Sequence, residues 1–357
     1  MEQPDRPIPF LTTIGLMITY RCTVSCAHCV VQAGPHRSEG MDPRDIRQWV
    51  DQIARYRDGL MAGIAVTGGE PFSERNKLQL VSSLAASAGL AVSVVSNAYW
   101  ATNLESARAC LRGVPGISFL SISTDVHHQE FIPFDRVRNA VRAAEELGMT
   151  YNVAICTATE NDERYKAIRS EAEKITDGAN IRVAVTFPAG RARQIRQDLD
   201  YEVLPEPTPS ACTMAGTPVI FPNGDVIGCI GPVMDIGTPH PLHLGNLVRE
   251  PLADILERAE RNAVLHAIRV WGPRILMEWL REHRFDGNPP GGFIADSTCD
   301  VCHQLFSRPD IVAALEKIAG NGELQAKVAY GRSFYLHEDT MADGLALSRG
   351  SAGTSRS

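Results

Sequence analysis

The apolar residues in the first half of the chain alternate between two spacings. Short apolar runs are each followed by a longer stretch in which apolar residues recur every three to four positions, the spacing of one face of a helix. Strands are predicted at about 11–19, 61–66, 90–95, 117–122, 150–155 and 181–186. Helices are predicted from about 42, and at about 74–88, 104–112, 134–147 and 161–175. Strands that alternate with helices predict an α/β fold with a parallel sheet.

Six strand–helix units predict a partial (β/α)6 TIM-like barrel, because the closed barrel of this type has eight. Polar or reactive side chains recur just past the ends of the predicted strands. They are Glu70, Ser96, Asn97, Ser123, Asp125, Cys156 and Arg191. Parallel barrels collect their catalytic residues at the carboxyl ends of the strands. We therefore expect the functional site at this rim.

The second half of the chain has a different pattern. Residues 201–209 are rich in proline and predict a linker. A hairpin is predicted at 217–230, with Asn223 and Gly224 in its turn. The stretch 230–298 predicts a helix at about 251–260 and a flexible loop that covers the barrel mouth, and a last helix is predicted from about Pro309.

These patterns divide the chain into four parts. Residues 1–10 are expected to be a loose lead-in, and residues 11–200 the partial barrel. Residues 201–320 are expected to form a small α+β domain at the C-terminal side. Residues 321–357 are expected to be a tail, with 348–357 disordered because they are rich in Gly, Ser and Arg.

Composition narrows the class of protein. A length of 357 residues fits one large domain with a smaller one, and an apolar content of 44% is ordinary for a folded core. A net charge of −7 argues against a dedicated nucleic-acid surface. The sequence has no apolar run long enough to span a membrane and no signal-peptide pattern near Met1. We therefore expect a cytoplasmic protein whose thiols stay reduced and can bind metal.

The most informative stretch is a loop after the first predicted strand. It carries Cys22, Cys26 and Cys29 with the spacing C-x3-C-x2-C. Thiolates this close together can hold one iron–sulfur cluster. A cluster of four irons needs four ligands, so three cysteines would leave one iron open. A structural zinc site usually has four protein ligands, and a disulfide reading fails on the odd number of thiols.

These three cysteines resemble the cluster loop of the radical S-adenosylmethionine (SAM) superfamily, with His28 at the position that is usually aromatic. The resemblance implies a [4Fe–4S] cluster whose open iron binds SAM and cleaves it to methionine and a 5′-deoxyadenosyl radical. Gly68, Gly69, Glu70 and Pro71 resemble the segment of that family that binds the amino group of SAM. Two glycines allow the backbone to approach a ligand closely, and Glu70 can accept hydrogen bonds from an ammonium group.

The same resemblance gives expectations for other residues at the rim. Ser96 and Asn97 are expected near the ribose or methionine part of SAM. Ser123, Asp125 and Arg191 are expected to contact SAM or substrate, although polar residues at such positions are often turn formers. His127 is a candidate for substrate contact or proton transfer. Cys156 is a candidate hydrogen-atom donor to a product radical, against the alternative that it is a small core residue.

Four further cysteines, Cys212, Cys229, Cys299 and Cys302, lie in the second half of the chain. Together with Gly224 and the Gly245-Asn246-Leu247 segment, they resemble the auxiliary-cluster extension called SPASM, or its shorter twitch form. A full SPASM carries seven cysteines and two extra clusters, so four cysteines imply one additional [4Fe–4S] cluster. A zinc ion held by the same four thiolates is the alternative.

The resemblance implies an enzyme that abstracts hydrogen from a peptide or natural-product substrate and leads to cross-linking, oxidation or epimerisation. A radical dehydrogenase or epimerase of a sugar or aminocyclitol, and an enzyme-maturing protein, are alternatives. An iron–sulfur electron carrier and a zinc-stabilised interaction module are non-catalytic alternatives. The expected partners are an electron donor such as flavodoxin or ferredoxin and, because only 21 residues precede Cys22, a separate leader-peptide-binding protein as an alternative to a small-molecule substrate.

Overall fold

The computed structural model describes residues 11–287 and 290–338. The predicted lead-in 1–10 and the predicted disordered end 348–357 lie outside these residues. The described strands are β1 Thr13–Met17, β2 Gly63–Thr67, β3 Ala91–Ser96, β4 Ile117–Ser123, β5 Thr150–Thr157, β6 Ile181–Val185, β7 Val203–Leu204, β8 Val219–Ile220, β9 Asp225–Ile227, β10 His243–Asn246 and β11 Phe293–Ile294.

The helices of the described residues are α1 Pro43–Arg55, α2 Arg75–Ser87, α3 Leu104–Arg112, α4 Val126–Gln129, α5 Phe134–Glu146, α6 Glu163–Glu173, α7 Leu252–Glu260, α8 Ala263–Trp271, α9 Arg274–Glu282, α10 Thr298–Phe306, α11 Pro309–Ala319 and α12 Gly322–Leu336. None of these helices combines the length and the apolarity that a membrane crossing requires.

Strands β1 to β6 pair in chain order and all in parallel, so the predicted α/β fold with six parallel units is confirmed. The strand order in the whole sheet is β10-β9-β8-β1-β2-β3-β4-β5-β6. The sheet is therefore open, with β6 at one edge. Parallel pairing places the carboxyl ends of all six strands on the same side, where the predicted site lies.

The helices pack because their apolar residues share one face, as α1 illustrates. Its Ile46, Trp49, Val50 and Ile53 are buried. The Asp42 carboxylate accepts a hydrogen bond from the backbone N–H of Arg44 at 2.8 Å and caps the helix start. The helix and its cap agree with the prediction.

The predicted hairpin exists, and it extends the barrel sheet. Strand β8 pairs in parallel with β1, with Gly15 opposite Val219. A Cβ on Gly15 would lie 2.8 Å from a Val219 methyl carbon, so this position has no room for a side chain. Strands β9 and β10 continue the sheet in antiparallel pairing.

The stretch predicted as one helix and a loop is more ordered than expected. It contains α7, α8 and α9 as well as β10 and the short β11, which pairs with β7. Helix α8 is buried on most sides. Its buried residues include the polar His266, so polar side chains do not mark an outer face in the sequence, and the pattern did not predict this helix.

The prediction of a tail from residue 321 is wrong for the described part, because α12 occupies Gly322–Leu336. The Asn321 side chain caps this helix by accepting from the N–H of Glu323 at 2.9 Å. Gly331 packs tightly on α8, since a Cβ there would lie 2.7 Å from a ring carbon of Trp271. Helix α12 buries Arg332 while Tyr330 is exposed, which inverts the usual amphipathic pattern and hides the helix from sequence analysis.

Candidate active site

The cysteine loop, residues 19–40, connects β1 to α1 and is fastened to itself by backbone pairing. Thr19 forms an antiparallel bridge with Gly40, and Arg21 forms a parallel bridge with Gly34. The N–H of Cys22 donates to the carbonyl of Gly34 at 3.1 Å. These contacts fold the loop so that its three thiols converge on one cavity.

The two glycines after β2 lie directly against this loop. The Gly69 N–H donates to the Thr19 carbonyl at 2.7 Å. A Cβ on Gly69 would lie 2.2 Å from the Arg21 carbonyl oxygen, and one on Gly68 would lie 2.6 Å from the Thr19 carbonyl oxygen. The glycines were expected to admit a ligand; the structure shows that they also admit the cysteine loop.

One cavity of about 290 Å³ brings the predicted residues together. It is lined by Cys22, Cys26, His28, Cys29, Gly68, Gly69, Ser96, Asn97, Ser123, His128 and Cys156, among others. Five predicted residues, all of them described, do not line this cavity: Glu70, Pro71, Asp125, His127 and Arg191. The residues predicted from the six strand ends therefore divide into a lining set and a supporting set.

Glu70 belongs to the supporting set. Its carboxylate is fully buried and accepts hydrogen bonds from the Phe72 N–H at 3.0 Å, the Ser96 hydroxyl at 2.9 Å and the Asn97 N–H at 2.8 Å. Burial raises the pKa of Glu70 to about 7, and these three donors limit the shift. Glu70 thus joins the end of β2 to the end of β3, with Pro71 buried beside it.

Ser96 and Asn97 differ in what they present to the cavity. The Ser96 hydroxyl is engaged by Glu70 and also accepts from the Trp100 ring N–H at 2.9 Å. The Asn97 side-chain amide donates to the Cys22 sulfur at 3.7 Å. Ser96 therefore lines the cavity with its hydroxyl engaged by other protein groups, whereas the Asn97 side chain reaches the cysteine loop.

The thiols of the loop suit an iron–sulfur cluster. Burial raises the pKa of Cys22 to about 11 and that of Cys26 further, so both are neutral thiols until a metal displaces the protons. Two N–H groups already point at sulfur, from Asn97 to Cys22 and from Ala33 to Cys29, the latter at 3.3 Å. Hydrogen bonds to cluster sulfurs are one of the means by which proteins set the reduction potential.

Asp125 organises a group of three histidines. Its carboxylate caps α4 by accepting from the N–H groups of His127 and His128 at 2.9 and 3.0 Å. It also contacts the His128 ring at 2.8 Å and the His28 ring at 3.2 Å. Burial acts to raise the pKa of Asp125, but the neighbouring His128 and His28 outweigh it and hold the pKa well below its usual range.

His127 and His128 occupy different places. The His127 ring stacks on His28 at 4.7 Å between centroids and lines a neighbouring cavity of about 190 Å³. Burial lowers the pKa of His127. His128 lines the cysteine cavity, yet sequence analysis singled out His127. Which of two adjacent histidines faces the cavity depends on the direction of the short helix α4, and the sequence pattern does not specify that direction.

Arg191 supports the cysteine loop from outside the cavity. Its guanidinium donates to the Cys26 carbonyl at 2.7 Å and to the Ala33 carbonyl, and its backbone N–H donates to the Cys29 carbonyl at 3.0 Å. Gly190 lets this segment approach, since a Cβ there would lie 2.1 Å from the Val30 carbonyl oxygen. The segment after β6 thus holds the cysteine loop in place.

Residues 16–192 match the family model described as the radical SAM superfamily. These residues form a radical SAM domain. The family implies a [4Fe–4S] cluster and SAM as cofactors, an enzymatic role and the need for an electron donor. The position of Cys22, Cys26 and Cys29 on the carboxyl-terminal side of the sheet agrees with this assignment.

Sequence similarity to other proteins extends beyond residues 16–192. The chain is 20% identical over 302 residues to the "Putative peptide biosynthesis protein YydG" of Bacillus subtilis (strain 168), and the match covers 83% of this chain and 92% of that protein. Among solved structures, BtrN in complex with AdoMet and 2-DOIA gives a TM-score of 0.42 at 11% identity and covers 72% of this chain and 87% of that one. The maturase HydG gives 0.39 at 14% identity, with 90% and 80% covered.

The radical SAM domain is followed by a second group of thiols. Cys212, Cys229, Cys299 and Cys302 line one cavity of about 250 Å³ whose remaining walls are almost entirely apolar. A single point, the position of a Cβ on Gly231, lies 3.5 Å from the Cys229 sulfur and 3.6 Å from the Cys299 sulfur. Burial raises the pKa of both thiols to about 12. The hairpin and α10 thus bring together cysteines that are up to ninety residues apart in sequence.

Cys156 lies at the end of β5 and faces the cavity of the radical SAM domain. Burial raises its pKa to about 12, and the charge of Asp125 adds to the shift. Two further lining residues, Ile230 and Met234, come from the second half of the chain. Sequence analysis missed them because an apolar side chain gives no functional signal.

Proposed function

We propose that this protein is a peptide-modifying radical SAM enzyme with a second [4Fe–4S] cluster. One observation carries the proposal: the thiol of Cys156 lines the same cavity as Cys22, Cys26 and Cys29. The likeness to a peptide biosynthesis protein along most of the chain supports a peptide as the substrate class. Cys22, Cys26 and Cys29 would hold the cluster, which together with SAM would supply the radical chemistry that removes a hydrogen atom from the substrate.

The residues of this chain position that chemistry. The Gly68–Gly69 backbone and Asn97 border the place where SAM binds, while Glu70, Ser96 and Pro71 hold the ends of β2 and β3 in register behind it. Ser123 and His128 line the side nearest β4 and face SAM or substrate. Asp125 and Arg191 act indirectly, by fixing the histidines and the cysteine loop.

Cys156 supplies the second half of an epimerisation. After a substrate C–H bond is broken, the Cys156 S–H bond breaks and its hydrogen forms a new C–H bond on the opposite face of the carbon. The sulfur radical left on Cys156 then takes one electron from the external donor and one proton from solvent. A raised pKa favours this role, because only the protonated thiol carries a hydrogen atom to give.

The auxiliary thiols are proposed to hold an iron–sulfur cluster in preference to zinc. Zinc–sulfur bonds of about 2.3 Å place the four sulfurs of a tetrahedral site less than about 4 Å apart. Among the described residues, the ligating atoms of His28, Asp125 and His128 lie within 4.8 Å of one another, and no group of cysteines is close enough to hold a single metal ion in the same way. This supports a larger inorganic centre at Cys212, Cys229, Cys299 and Cys302.

We further infer a reducing cytoplasmic setting and a flavodoxin- or ferredoxin-type electron donor. All nine cysteines lie within the described residues and all are free thiols. Thiols persist in this form in reducing compartments. A separate protein that presents the peptide leader is the remaining proposed partner.

Metal and cleavage assays test the cofactor part of this proposal. Anaerobically reconstituted enzyme should contain about eight irons per chain and release 5′-deoxyadenosine with SAM and dithionite. Replacing Cys22, Cys26 and Cys29 by alanine should abolish release. Cys302→Ala should lower the iron content to about four and retain release. Cys110→Ala, outside both cavities, is the matched control; zinc bound at the second site would contradict the second cluster.

Solvent exchange tests the role of Cys156. With peptides encoded by neighbouring genes as substrates in heavy water, the epimerised product should carry one solvent deuterium on carbon. Cys156→Ala should still consume SAM but should not deliver that deuterium. A product that has lost hydrogen without gaining deuterium would instead show oxidation or cross-linking, and unchanged products from Cys156→Ala would exclude the thiol as donor.

A further inference from the structure

Another cavity lies along the open edge of the sheet, outside the radical cavity, which is the cavity lined by Cys22, Cys26 and Cys29. It has a volume of about 580 Å³, within the range of about 300–1,000 Å³ usual for ligand pockets. Its floor is the β6 segment Val183, Ala184 and Val185. Its opposite wall comes from Glu202 beside β7 and from residues 295–299 after β11.

Strand β6 presents unpaired backbone groups to this cavity. The Thr186 N–H donates back to the Thr157 carbonyl of β5 at 2.8 Å. Because backbone groups alternate in direction along a strand, the N–H and C=O of Val183 and Val185 point away from β5. Within the described chain, neither residue has a hydrogen-bond partner on that outer side. Exposed edges of this kind are templates for another strand.

The cavity connects the two thiol sites. Val185 and Phe187 also line the radical cavity. Ala184 and Cys299 also line the auxiliary cavity, which is the cavity that contains Cys212, Cys229 and Cys302. A chain lying along the outer edge of β6 would therefore border the radical cavity at Val185 and Phe187 and would border Cys299 on its other side. This continuity distinguishes the edge from an ordinary unprotected strand.

The walls carry one sign of charge. Glu160, Glu202 and Asp296 line the cavity, no lysine or arginine lines it, and none of the three carboxylates has an ion pair with a described residue. Side chains of an added strand alternate between two faces, so one face of a bound peptide would meet these carboxylates. Complementarity thus selects lysine or arginine at alternate positions.

We propose that the peptide substrate binds as an extended strand added to the open edge of β6, with basic side chains facing Glu160, Glu202 and Asp296. This inference rests on the proposed peptide substrate. Backbone hydrogen bonds to Val183 and Val185 supply the affinity, and the carboxylates select the sequence. The added strand delivers a residue of the peptide to the radical cavity.

The test uses reconstituted enzyme and fluorescein-labelled synthetic peptides, with binding followed by fluorescence anisotropy. A peptide of alternating lysine and threonine should bind at least about tenfold more tightly than one of alternating glutamate and threonine. The combined variant Glu160→Gln, Glu202→Gln, Asp296→Asn should remove this preference. Spermidine is added at the same concentration of positive charge as the lysine peptide. If it displaces the peptide fully, binding depends on charge attraction alone, and this result would overturn the strand geometry.

Backbone methylation isolates the hydrogen bonds. One peptide is N-methylated at every threonine and another at every lysine. Strand addition uses the N–H groups of alternate residues only, so one peptide should lose at least about tenfold in affinity while the other keeps it within about threefold. An equal change in the affinity of the two peptides would overturn the proposal, whether both lose affinity or both keep it.

A protein variant gives the reciprocal test. Val183→Pro removes one outward N–H and no bond to β5, so it should weaken the lysine peptide about tenfold. Val183→Ala keeps the N–H and should bind normally. If Val183→Pro also loses 5′-deoxyadenosine release, its fold is damaged, and the test of strand addition then depends on the N-methylated peptides. If wild-type enzyme releases no 5′-deoxyadenosine, the proposed function fails independently of any peptide binding.

Discussion

Residues at the strand ends have two different roles, lining the cavity or supporting the residues that line it, and the sequence does not distinguish the two. Asn97 and Cys156 reach the cavity, whereas Glu70 and Asp125 bind other side chains behind it. All four are polar or reactive and all follow a strand. Their buried hydrogen bonds make the supporting residues important for stability as well as for activity.

Glu70 gives the protein a pH dependence that its variant should lack. Its folded pKa of about 7 lies above its ordinary value of 4.5, so the folded state binds the proton more tightly. The free energy of unfolding therefore falls as pH rises from about 4.5 to about 7, by about 2–3 kcal/mol from this group. Urea unfolding of Glu70→Gln should show a smaller fall, and exposed Glu163→Gln should follow the wild type. Parallel curves for wild type and Glu70→Gln would refute the assignment.

Asp125 should cost more to remove than an ordinary helix cap. Asp125→Asn loses the acceptor shared by His28 and His128 as well as weakening the cap of α4, and should lower the free energy of unfolding by about 2–3 kcal/mol. Asp162→Asn keeps an N-cap at α6, where the carboxylate accepts from the Arg164 N–H at 2.7 Å, and loses an ion pair with the Arg164 guanidinium, so it should cost no more than about 1 kcal/mol. Equal losses in chemical unfolding would show that the histidine group adds nothing.

Elements of the fold are joined at the rim by close backbone approaches. The segments after β2 and β6 both press against the cysteine loop, through Gly69 and Gly190. The loop is thus held from two sides, although its own sequence contains little regular structure. Its geometry for metal binding depends on these neighbours.

Gly190→Ala should damage the first cluster site. Gly190 has φ of +59° and no room for a Cβ, whereas Gly148 has φ of +67° and nothing within 4 Å of a Cβ. Gly148→Ala pays only the left-handed conformation, about 1–2 kcal/mol. Gly190→Ala adds displacement of the cysteine loop and should lower reconstituted iron and 5′-deoxyadenosine release. Iron content equal in the two variants would show that this contact does not shape the loop.

Contacts between segments that are far apart in sequence stabilise the second half of the chain. Arg332 of α12 is buried and donates to the Glu260 carbonyl of α7 at 2.9 Å. It also pairs with the carboxylates of Glu260 and Glu338. Helix α12 is therefore part of the folded structure that supports α8 and, through it, the auxiliary cavity.

Arg332→Met should be strongly destabilising. It leaves Glu338, itself buried, without this partner, and breaking a buried pair from one side costs about 3–5 kcal/mol. Arg44→Met removes an exposed pair with Asp42 and should change stability by no more than about 1 kcal/mol. Thermal and urea unfolding of both variants would measure the difference. A loss for Arg332→Met as small as that for Arg44→Met would show that α12 contributes little.

Periodicity and spacing were sufficient for a large part of this protein. The six parallel strands, their helices and the hairpin were predicted to within a few residues, because alternating apolar patterns reflect burial directly. The cysteine loop and the Gly-Gly-Glu-Pro segment were found because metal and ligand binding require particular residues at short range. Helices α8 and α12 were missed, since α8 buries a histidine among its apolar residues and α12 buries a charged arginine.

The sequence by itself determined the order of strands and helices and the chemistry of the cysteine loop, both of which depend on neighbouring residues. Only the tertiary structure decided that Glu70 and Arg191 face protein while Asn97 and Cys156 face the cavity. It alone placed Cys212 and Cys229 beside Cys299 and Cys302, and left β6 open beside them. The physical reason is that side-chain direction and long-range contact follow from how elements pack, which no local pattern encodes.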